Sequence, residues 1–223
     1  MLSKFEEAID KLEEEVYAFG KLDEEAFVKI IEAVREHDSA KAEEARQILK
    51  GNHKANAKID MNAITTLALY APEASDLRRV VAQIKIASEL SRIGDYIRRH
   101  AKSVLQELAV REGEEEEKMD GTREAFYQST LRALQLALES IRERDSDALD
   151  HLSRQINVEE SKCDDFVAIL EKNMVSRICS NPDHADEVVS QLHVIRKLER
   201  ISDRCINIVK LARYALEGGK LKL

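Results

Sequence analysis

Residues 197–203 read Lys-Leu-Glu-Arg-Ile-Ser-Asp, and residues 89–95 read Glu-Leu-Ser-Arg-Ile-Gly-Asp, so Leu, Arg, Ile and Asp recur 108 positions apart. In the later copy Glu199 and Asp203 stand four residues apart and are therefore neighbours on one face of a helix. Two like charges beside an apolar stripe repel each other and resist desolvation, so we expect a metal ion or arginines to offset them. The stripe beside them consists of Val188, Leu192, Ile195 and Ile206.

The repeat extends beyond this stretch. Residues 139–146 (ESIRERDS) match residues 32–39 (EAVREHDS) at five positions with an offset of 107 residues. Residues 188–191 (VVSQ) match residues 80–83 (VVAQ) at an offset of 108. Because the matches follow one order along the chain, they indicate a tandem duplication of one unit.

Each unit has apolar residues at helical spacing over three long segments. In the first unit, Gly20 introduces a kink near the middle of the first helical segment. Residues 37–39 then form a turn with a capping residue, and Pro72 ends the second helical segment. Pro182 occupies the first position of the last helix, and Gly218 follows its end. The predicted helices span about residues 3–36, 40–70 and 75–108 in the first unit and 122–144, 147–178 and 183–216 in the second.

The units are joined by an acidic tract that begins and ends near glycines. We expect residues 111–121 to form a solvated linker between an N-terminal unit, residues 1–110, and a C-terminal unit, residues 122–223. The predicted fold is all-α, with two tandem three-helix bundles related by an internal pseudo-twofold axis.

Composition supports a helical protein and limits the classes of partner. Aromatic residues make up 4% of the 223 residues and there are two prolines, whereas charged residues make up 35%, which is typical of long helices. The formal net charge of −8 argues against nucleic acid or an anionic lipid surface as the main partner. No apolar stretch of the sequence is long enough to span a membrane, and the first residues lack the apolar core of a signal peptide. The three cysteines lack the paired spacing of a disulfide framework. We therefore expect a cytoplasmic, reduced protein.

A second carboxylate pair, Glu160 and Asp164, lies beside the apolar stripe of the preceding helix. If the two helices pack side by side, this pair converges with Glu199 and Asp203, and hard or borderline cations accept such oxygen ligands. The alternative is a set of ion pairs, because Arg196 lies three residues before Glu199 and Arg200 three before Asp203. Surface pairs of this kind are common and stabilise helices by about 0.3–0.5 kcal/mol each.

No catalytic motif is present. The six histidines show neither His-Glu-x-x-His spacing nor a glutamate three residues before them, and they are expected to be surface or turn histidines. No glycine-rich phosphate loop and no nucleophile–base arrangement can be found, and Cys163 falls in an apolar stripe, which favours a buried thiol. The sequence therefore does not indicate an enzyme.

The chain resembles the PhoU family of phosphate-signalling proteins, which consist of two three-helix units. In that family the last helix of each unit carries a Glu-Arg-Ile-x-Asp signature, and both units here contain its Arg-Ile-x-Asp part. The match extends over nearly the whole chain and includes the stretch at residues 72–80, PEASDLRRV. The resemblance implies multinuclear metal clusters at Glu/Asp-x-x-x-Asp pairs, which are Glu160 with Asp164 and Glu199 with Asp203 here. The first unit departs from the pattern. Ser91 replaces the glutamate and leaves Asp95 alone, and His53 and Ala57 occupy the positions of the other pair, although His53 or Asn56 could assist Asp95.

The resemblance also implies a function. The protein would lie in the cytoplasm between a phosphate ABC transporter, through its ATPase subunit, and the sensor histidine kinase of phosphate-responsive genes. It would act as a negative regulator of uptake and signalling through protein contacts rather than catalysis, as a homodimer, with iron, zinc, magnesium or manganese bound. The alternatives are a carboxylate-bridged metal enzyme, an accessory subunit of an ion-driven phosphate permease, and a structural helical adaptor.

Overall fold

The computed structural model describes residues 2–110 and 121–218, and in these ranges the chain is helical without a β-strand. The predicted all-α fold is therefore confirmed. Of the predicted linker, only Gly121 lies within the described residues, where it begins a helix. The helices are α1 Leu2–Glu36, α2 Ser39–Ile48, α3 Asn52–Tyr70, α4 Ala74–Val110, α5 Gly121–Arg142, α6 Ser146–Ser180 and α7 Ala185–Glu217, with a short 3₁₀ turn at Pro182–His184.

The second helix of the first unit differs from the prediction. Apolar periodicity predicted one helix over residues 40–70, but α2 and α3 are separate, because Gly51 between them has a φ of 94°. This left-handed conformation ends α2 and is accessible to glycine without steric strain. Pro182 begins a 3₁₀ turn rather than the last α-helix, which starts three residues later at Ala185.

The two turns that match between the repeats have the same cap. The side chain of Asp38 accepts a hydrogen bond from the backbone N–H of Ala40, and that of Asp145 accepts one from the N–H of Ala148, both at 2.8 Å. Each aspartate satisfies one of the N–H groups that a helix leaves unpaired at its start. The capping turn predicted at residues 37–39 is thus confirmed, and Asp145 is its counterpart in the second repeat.

Helix α1 runs without interruption through Gly20, and the kink expected there stays a prediction. A β-carbon added at Gly20 would lie 2.3 Å from Cδ2 of Leu138 in α5 and 3.0 Å from Cδ2 of Leu90 in α4. The glycine is therefore required for close approach of three helices that belong to both repeats.

The two repeats share one hydrophobic core. Within each repeat the helices pack on one another, and between the repeats α4 packs along α7 while α1 packs on α5. We call this contact between the repeats the seam, and ion pairs also form along it. Arg204 of α7 donates to Oε2 of Glu89 in α4 at 3.1 Å, and the buried Glu13 of α1 pairs with Arg79 of α4 and with Arg144 at the α5–α6 turn.

In the described ranges, none of the helices combines the length and the hydropathy needed to cross a membrane. The exposed apolar residues instead include three on α3, where Met61, Ile64 and Leu69 are 62%, 54% and 71% exposed. Their spacing places Met61 and Ile64 close together on one side of the helix, whereas Leu69 lies about 140° around the helix axis from Ile64.

Candidate functional site

The carboxylates predicted to converge lie on two packed helices, Glu160 and Asp164 on α6 and Glu199 and Asp203 on α7. Partial burial raises the pKa of Glu160, and the negative charges of Asp164 and Asp203 raise it further. Partial burial likewise raises the pKa of Asp203, followed by the charges of Glu199 and Asp164. These electrostatic effects extend across the packed helices, and we refer to Glu160, Asp164, Glu199 and Asp203 as the acidic cluster.

Arginines offset part of this negative charge, as the ion-pair alternative in the sequence analysis predicted. Arg196 donates to both carboxylate oxygens of Glu199, at 2.8 and 2.9 Å, and also pairs with Glu171 at 2.6 Å. Among the described residues, Arg200 and Arg204 form no ion pair with Asp203. Their positive charges act at longer range and offset part of the rise in the pKa of Asp203. Glu199 is thus neutralised, whereas Glu160, Asp164 and Asp203 keep their oxygens available.

The distances between the carboxylate side chains decide whether they can ligate one metal ion together. Among the described residues, no three His, Cys, Asp or Glu side chains are close enough to ligate one ion together. Any ion shared by the acidic cluster therefore requires Glu160, Asp164 or Asp203 to change rotamer, or solvent oxygens to complete the coordination. Metal binding by Glu160, Asp164, Glu199 and Asp203 stays a prediction.

Asp95 lies apart from the acidic cluster, on α4 of the first repeat. Its Oδ1 is 3.4 Å from Nε2 of His53 in α3 and 3.5 Å from Nη2 of Arg98. His53 therefore contacts Asp95, as its position in the repeat suggested, while the exposed Ala57 adds no ligand. Metal binding at Asp95 also stays a prediction.

Asp23 of α1 was not among the candidate residues predicted from the sequence. Its side chain is completely buried, neither carboxylate oxygen has a hydrogen-bond partner, and burial together with the charge of Asp95 raises its pKa well above the ordinary value. The signal was present in the sequence, because Asp23 stands four residues from both Phe19 and Phe27 on the apolar face of α1. An unpaired carboxylate in such a core is costly and calls for a physical explanation.

His100 corrects the expectation that every histidine lies on the surface or in a turn. It is fully buried, and its Nε2 lies 2.7 Å from the hydroxyl of Tyr127. Burial lowers the pKa of His100 to about 3, with smaller contributions from the positive charges of Arg123 and Lys197. No local signal predicted this burial, since His100 follows two arginines in a charged run.

Beside this pair, a cavity of about 310 Å³ opens at one end of the bundle. Arg123 lines it and donates to both oxygens of Glu107, at 2.8 and 2.9 Å, so the charge of the partly buried guanidinium is paired. The remaining lining is largely apolar and includes Leu170, Met174 and Leu198.

The two buried cysteines offer no nucleophile, whereas Cys179 of α6 is exposed. Cys163 is buried, as its place in the apolar stripe predicted, and burial raises the pKa of its thiol to about 11. Cys205 is also buried, and its pKa is raised well above the ordinary value. A thiol held neutral at physiological pH is a poor nucleophile and a poor metal ligand.

Comparison with known proteins gives a consistent result. The PhoU domain model matches the chain twice, at residues 16–104 and 125–212. The chain is 27% identical to a phosphate-specific transport system accessory protein PhoU of Serratia marcescens, over 96% of this chain and 85% of that protein. It is 26% identical to a homologous accessory protein of Streptococcus pneumoniae, over 99% and 98% of the two chains.

The solved structures agree. The crystal structure of PhoU from Pseudomonas aeruginosa superimposes with a TM-score of 0.84 at 25% identity, covering 96% of this chain and all of that one. The PhoU regulatory protein structure from Streptococcus pneumoniae superimposes with a TM-score of 0.82 at 22% identity, which shows the fold. The two-repeat architecture inferred from the sequence is therefore confirmed.

The buried His100 generates a prediction about acid stability. Because its pKa is about 3 in the folded chain and 6.5 in the unfolded chain, its contribution to stability is complete above pH 6.5 and is lost as the pH falls towards 3. Between pH 7 and pH 4.5 this group alone should remove roughly 2–3 kcal/mol from the free energy of unfolding. Urea unfolding of His100→Gln should show a loss smaller by that amount.

The matched control is His151→Gln, which replaces an exposed histidine. Its pH profile should follow that of the wild type. Parallel profiles for the wild type and His100→Gln would show that His100 is not buried in the neutral form.

Proposed function

Because the chain belongs to the PhoU domain family, we propose that it is an accessory protein of a phosphate transport system and regulates phosphate uptake through contacts with other proteins. The observation that carries this proposal is the match of both repeats to the family, together with relatives that carry this name over nearly their whole length. The direct partners would be the ATPase subunit of the phosphate ABC transporter and the sensor histidine kinase of phosphate-responsive genes. The chain would act in the cytoplasm as a negative regulator.

The geometry supports contact-based regulation rather than catalysis. The buried thiols and His100 are held neutral, and the acidic cluster lies on the flank of two packed helices rather than in an enclosed cleft. A carboxylate-bridged oxidase keeps its ligands in the interior of a bundle with histidines among them. The described part of the chain has no such set of ligands.

We also propose that two copies of the chain assemble as a homodimer. The exposed apolar side chains of Met61 and Ile64, which are neighbours on α3, support a contact of this kind. A closed twofold contact would bury the same patch on both copies.

The functional proposal predicts a loss of repression. Deletion of the gene in the source organism should leave a phosphate-responsive reporter active and phosphate uptake high even when phosphate is abundant. The tagged full-length chain, expressed from its own locus, should co-purify with the transporter ATPase subunit and the kinase. Unchanged reporter activity and uptake in the deletion strain would contradict the proposal, and co-purification with an ion-driven permease instead would favour the accessory-subunit alternative.

We further propose that the acidic cluster binds metal through Glu160, Asp164 and Asp203, with Glu199 joining when Arg196 releases it. A bound cation would relieve the repulsion that raises the pKa values of Glu160 and Asp203. Iron, manganese, zinc and magnesium all suit carboxylate oxygens, so the chemistry of the ligands leaves the identity of the metal open.

Elemental analysis tests this proposal on the full chain purified without chelator or nickel affinity resin. The wild type should carry at least one metal ion per chain, and Glu160→Gln/Asp203→Asn should lose most of it because two anionic ligands become neutral amides. Asp165→Asn, a change to an exposed aspartate adjacent to Asp164, is the matched control and should keep the metal. Equal metal content in all three proteins would refute the site, and oxygen turnover with ferrous iron would instead indicate an enzyme.

A further inference from the structure

Another cavity, of about 390 Å³, lies at the seam, where α1 and α4 of the first repeat meet α7 and the end of α5 in the second. Its lining is strongly acidic, because it contains five carboxylates and two guanidinium groups. The carboxylates belong to Glu6, Asp10, Glu13, Asp76 and Glu143, and the guanidinium groups belong to Arg79 and Arg144. With these groups ionised, the lining has an excess of negative charge.

The two arginines are shared among three carboxylates of α1. Arg79 donates to Oε2 of Glu6 at 2.9 Å. Its guanidinium also lies 3.7 Å from Oδ1 of Asp10 and 3.6 Å from Oε1 of Glu13. Arg144 pairs with Glu13 and, at 3.9 Å, with Asp10. Burial raises the pKa of Glu13, and the charge of Asp10 adds to the rise, although both arginines oppose it. A further positive charge would therefore be stabilised here.

A buried acceptor in the same cavity lacks a hydrogen-bond donor. Gln83 of α4 lines the cavity and is 2% exposed, and its Oε1 has no hydrogen-bond partner. A buried carbonyl oxygen is normally satisfied by an N–H, an O–H or a cation. This observation does not depend on the charge of the lining, yet it also calls for a donor.

The arrangement of the lining suits an extended ligand better than a metal ion. Among the described residues, no three His, Cys, Asp or Glu side chains are close enough to ligate one ion together. The lining also includes apolar side chains, those of Ile141 in α5 and of Ala212 and Leu216 in α7. Separate carboxylates beside apolar surface match a molecule whose positive groups are joined by methylene chains.

We propose that this cavity binds a linear aliphatic polyamine. Its ammonium groups pair with the carboxylates that the two arginines leave in excess, and one ammonium donates to Oε1 of Gln83. Hydrogen bonds between charged and neutral partners of this kind are stronger than those between two neutral groups. The methylene chain packs on Ile141 and Leu216. Because the lining comes from both repeats, the bound polyamine stabilises the seam.

The polyamine site is separate from the acidic cluster. None of Glu160, Asp164, Glu199 and Asp203 lines this cavity. The polyamine proposal goes beyond the regulatory function, and its failure would leave that function and metal binding by the acidic cluster unaffected.

Isothermal titration calorimetry of the full chain with spermidine, in physiological salt, tests the proposal. The wild type should bind one spermidine per chain, and Gln83→Leu should weaken binding about tenfold, because it removes the acceptor of a charge-assisted hydrogen bond. The matched control is Gln106→Leu, the same change at an exposed glutamine of α4 outside the cavity, and it should leave binding unchanged.

A second variant, Asp76→Asn, removes one carboxylate of the lining and leaves the buried amide in place. It should weaken spermidine binding about two- to fivefold, as expected for one partly exposed ion pair. The two variants therefore test the acceptor and the charge of the cavity separately.

Thermal unfolding provides the other readout and shows whether each variant folds. Gln83→Leu should be folded, since it replaces a buried amide whose oxygen is unpaired with an apolar side chain. Spermidine should raise the Tm of the wild type and of Gln106→Leu more than that of Gln83→Leu.

Equal spermidine affinity of the wild type, Gln83→Leu and Asp76→Asn would overturn the proposal, because it would mean a general attraction of polyamines to an acidic surface. A wild type that binds no spermidine would also overturn it, and a water molecule would then satisfy Gln83.

Discussion

The packing of α4 along α7, with α1 on α5, is the constraint on which the rest of the structure depends. Each helix of this seam has one face in its own repeat and another against the partner repeat, so the buried apolar surface is continuous through both. Gly20 shows how tight the fit is, because Leu90 of the first repeat and Leu138 of the second both approach its α-carbon. A three-helix unit alone would expose the apolar face that the seam covers.

The seam also determines where charge can be placed. Residues on the flanks of the buried stripes are partly desolvated, which is why Glu160 and Asp203 have raised pKa values although both remain in reach of solvent. Residues inside the stripes have no such access, and Asp23 and His100 are accordingly held away from their charged forms. The two repeats share a backbone plan but have diverged electrostatically, since the first has a carboxylate in its interior where the second has Thr130.

The sequence predicted the fold well because its signals are local and repeated. Helical periodicity, the caps at Asp38 and Asp145 and the recurring Arg-Ile-x-Asp stretch all agree with one another and with the structure. The break at Gly51 was missed because apolar spacing continues across it, and only the backbone angle separates α2 from α3. The packing role of Gly20 was missed because a glycine in a helix can serve close packing as well as bending.

The site was predictable only in part. The acidic residues of α6 and α7 could be assigned to neighbouring faces from their spacing, and the two helices that carry them pack against each other. Which arginine neutralises which carboxylate depends on rotamers, and the sequence could not show that Arg196 would bind both oxygens of Glu199. The burial of His100 depends on its contact with Tyr127 of α5 and on the packing of α7 along α4, which are long-range contacts without a local signal.

Differential scanning calorimetry of the full chain tests most directly whether the two repeats share one core. If they do, the chain unfolds in one cooperative transition, and the calorimetric enthalpy equals the van 't Hoff enthalpy. Two resolved transitions, or a calorimetric enthalpy about twice the van 't Hoff value, would mean that the repeats fold as independent bundles and would contradict the shared core.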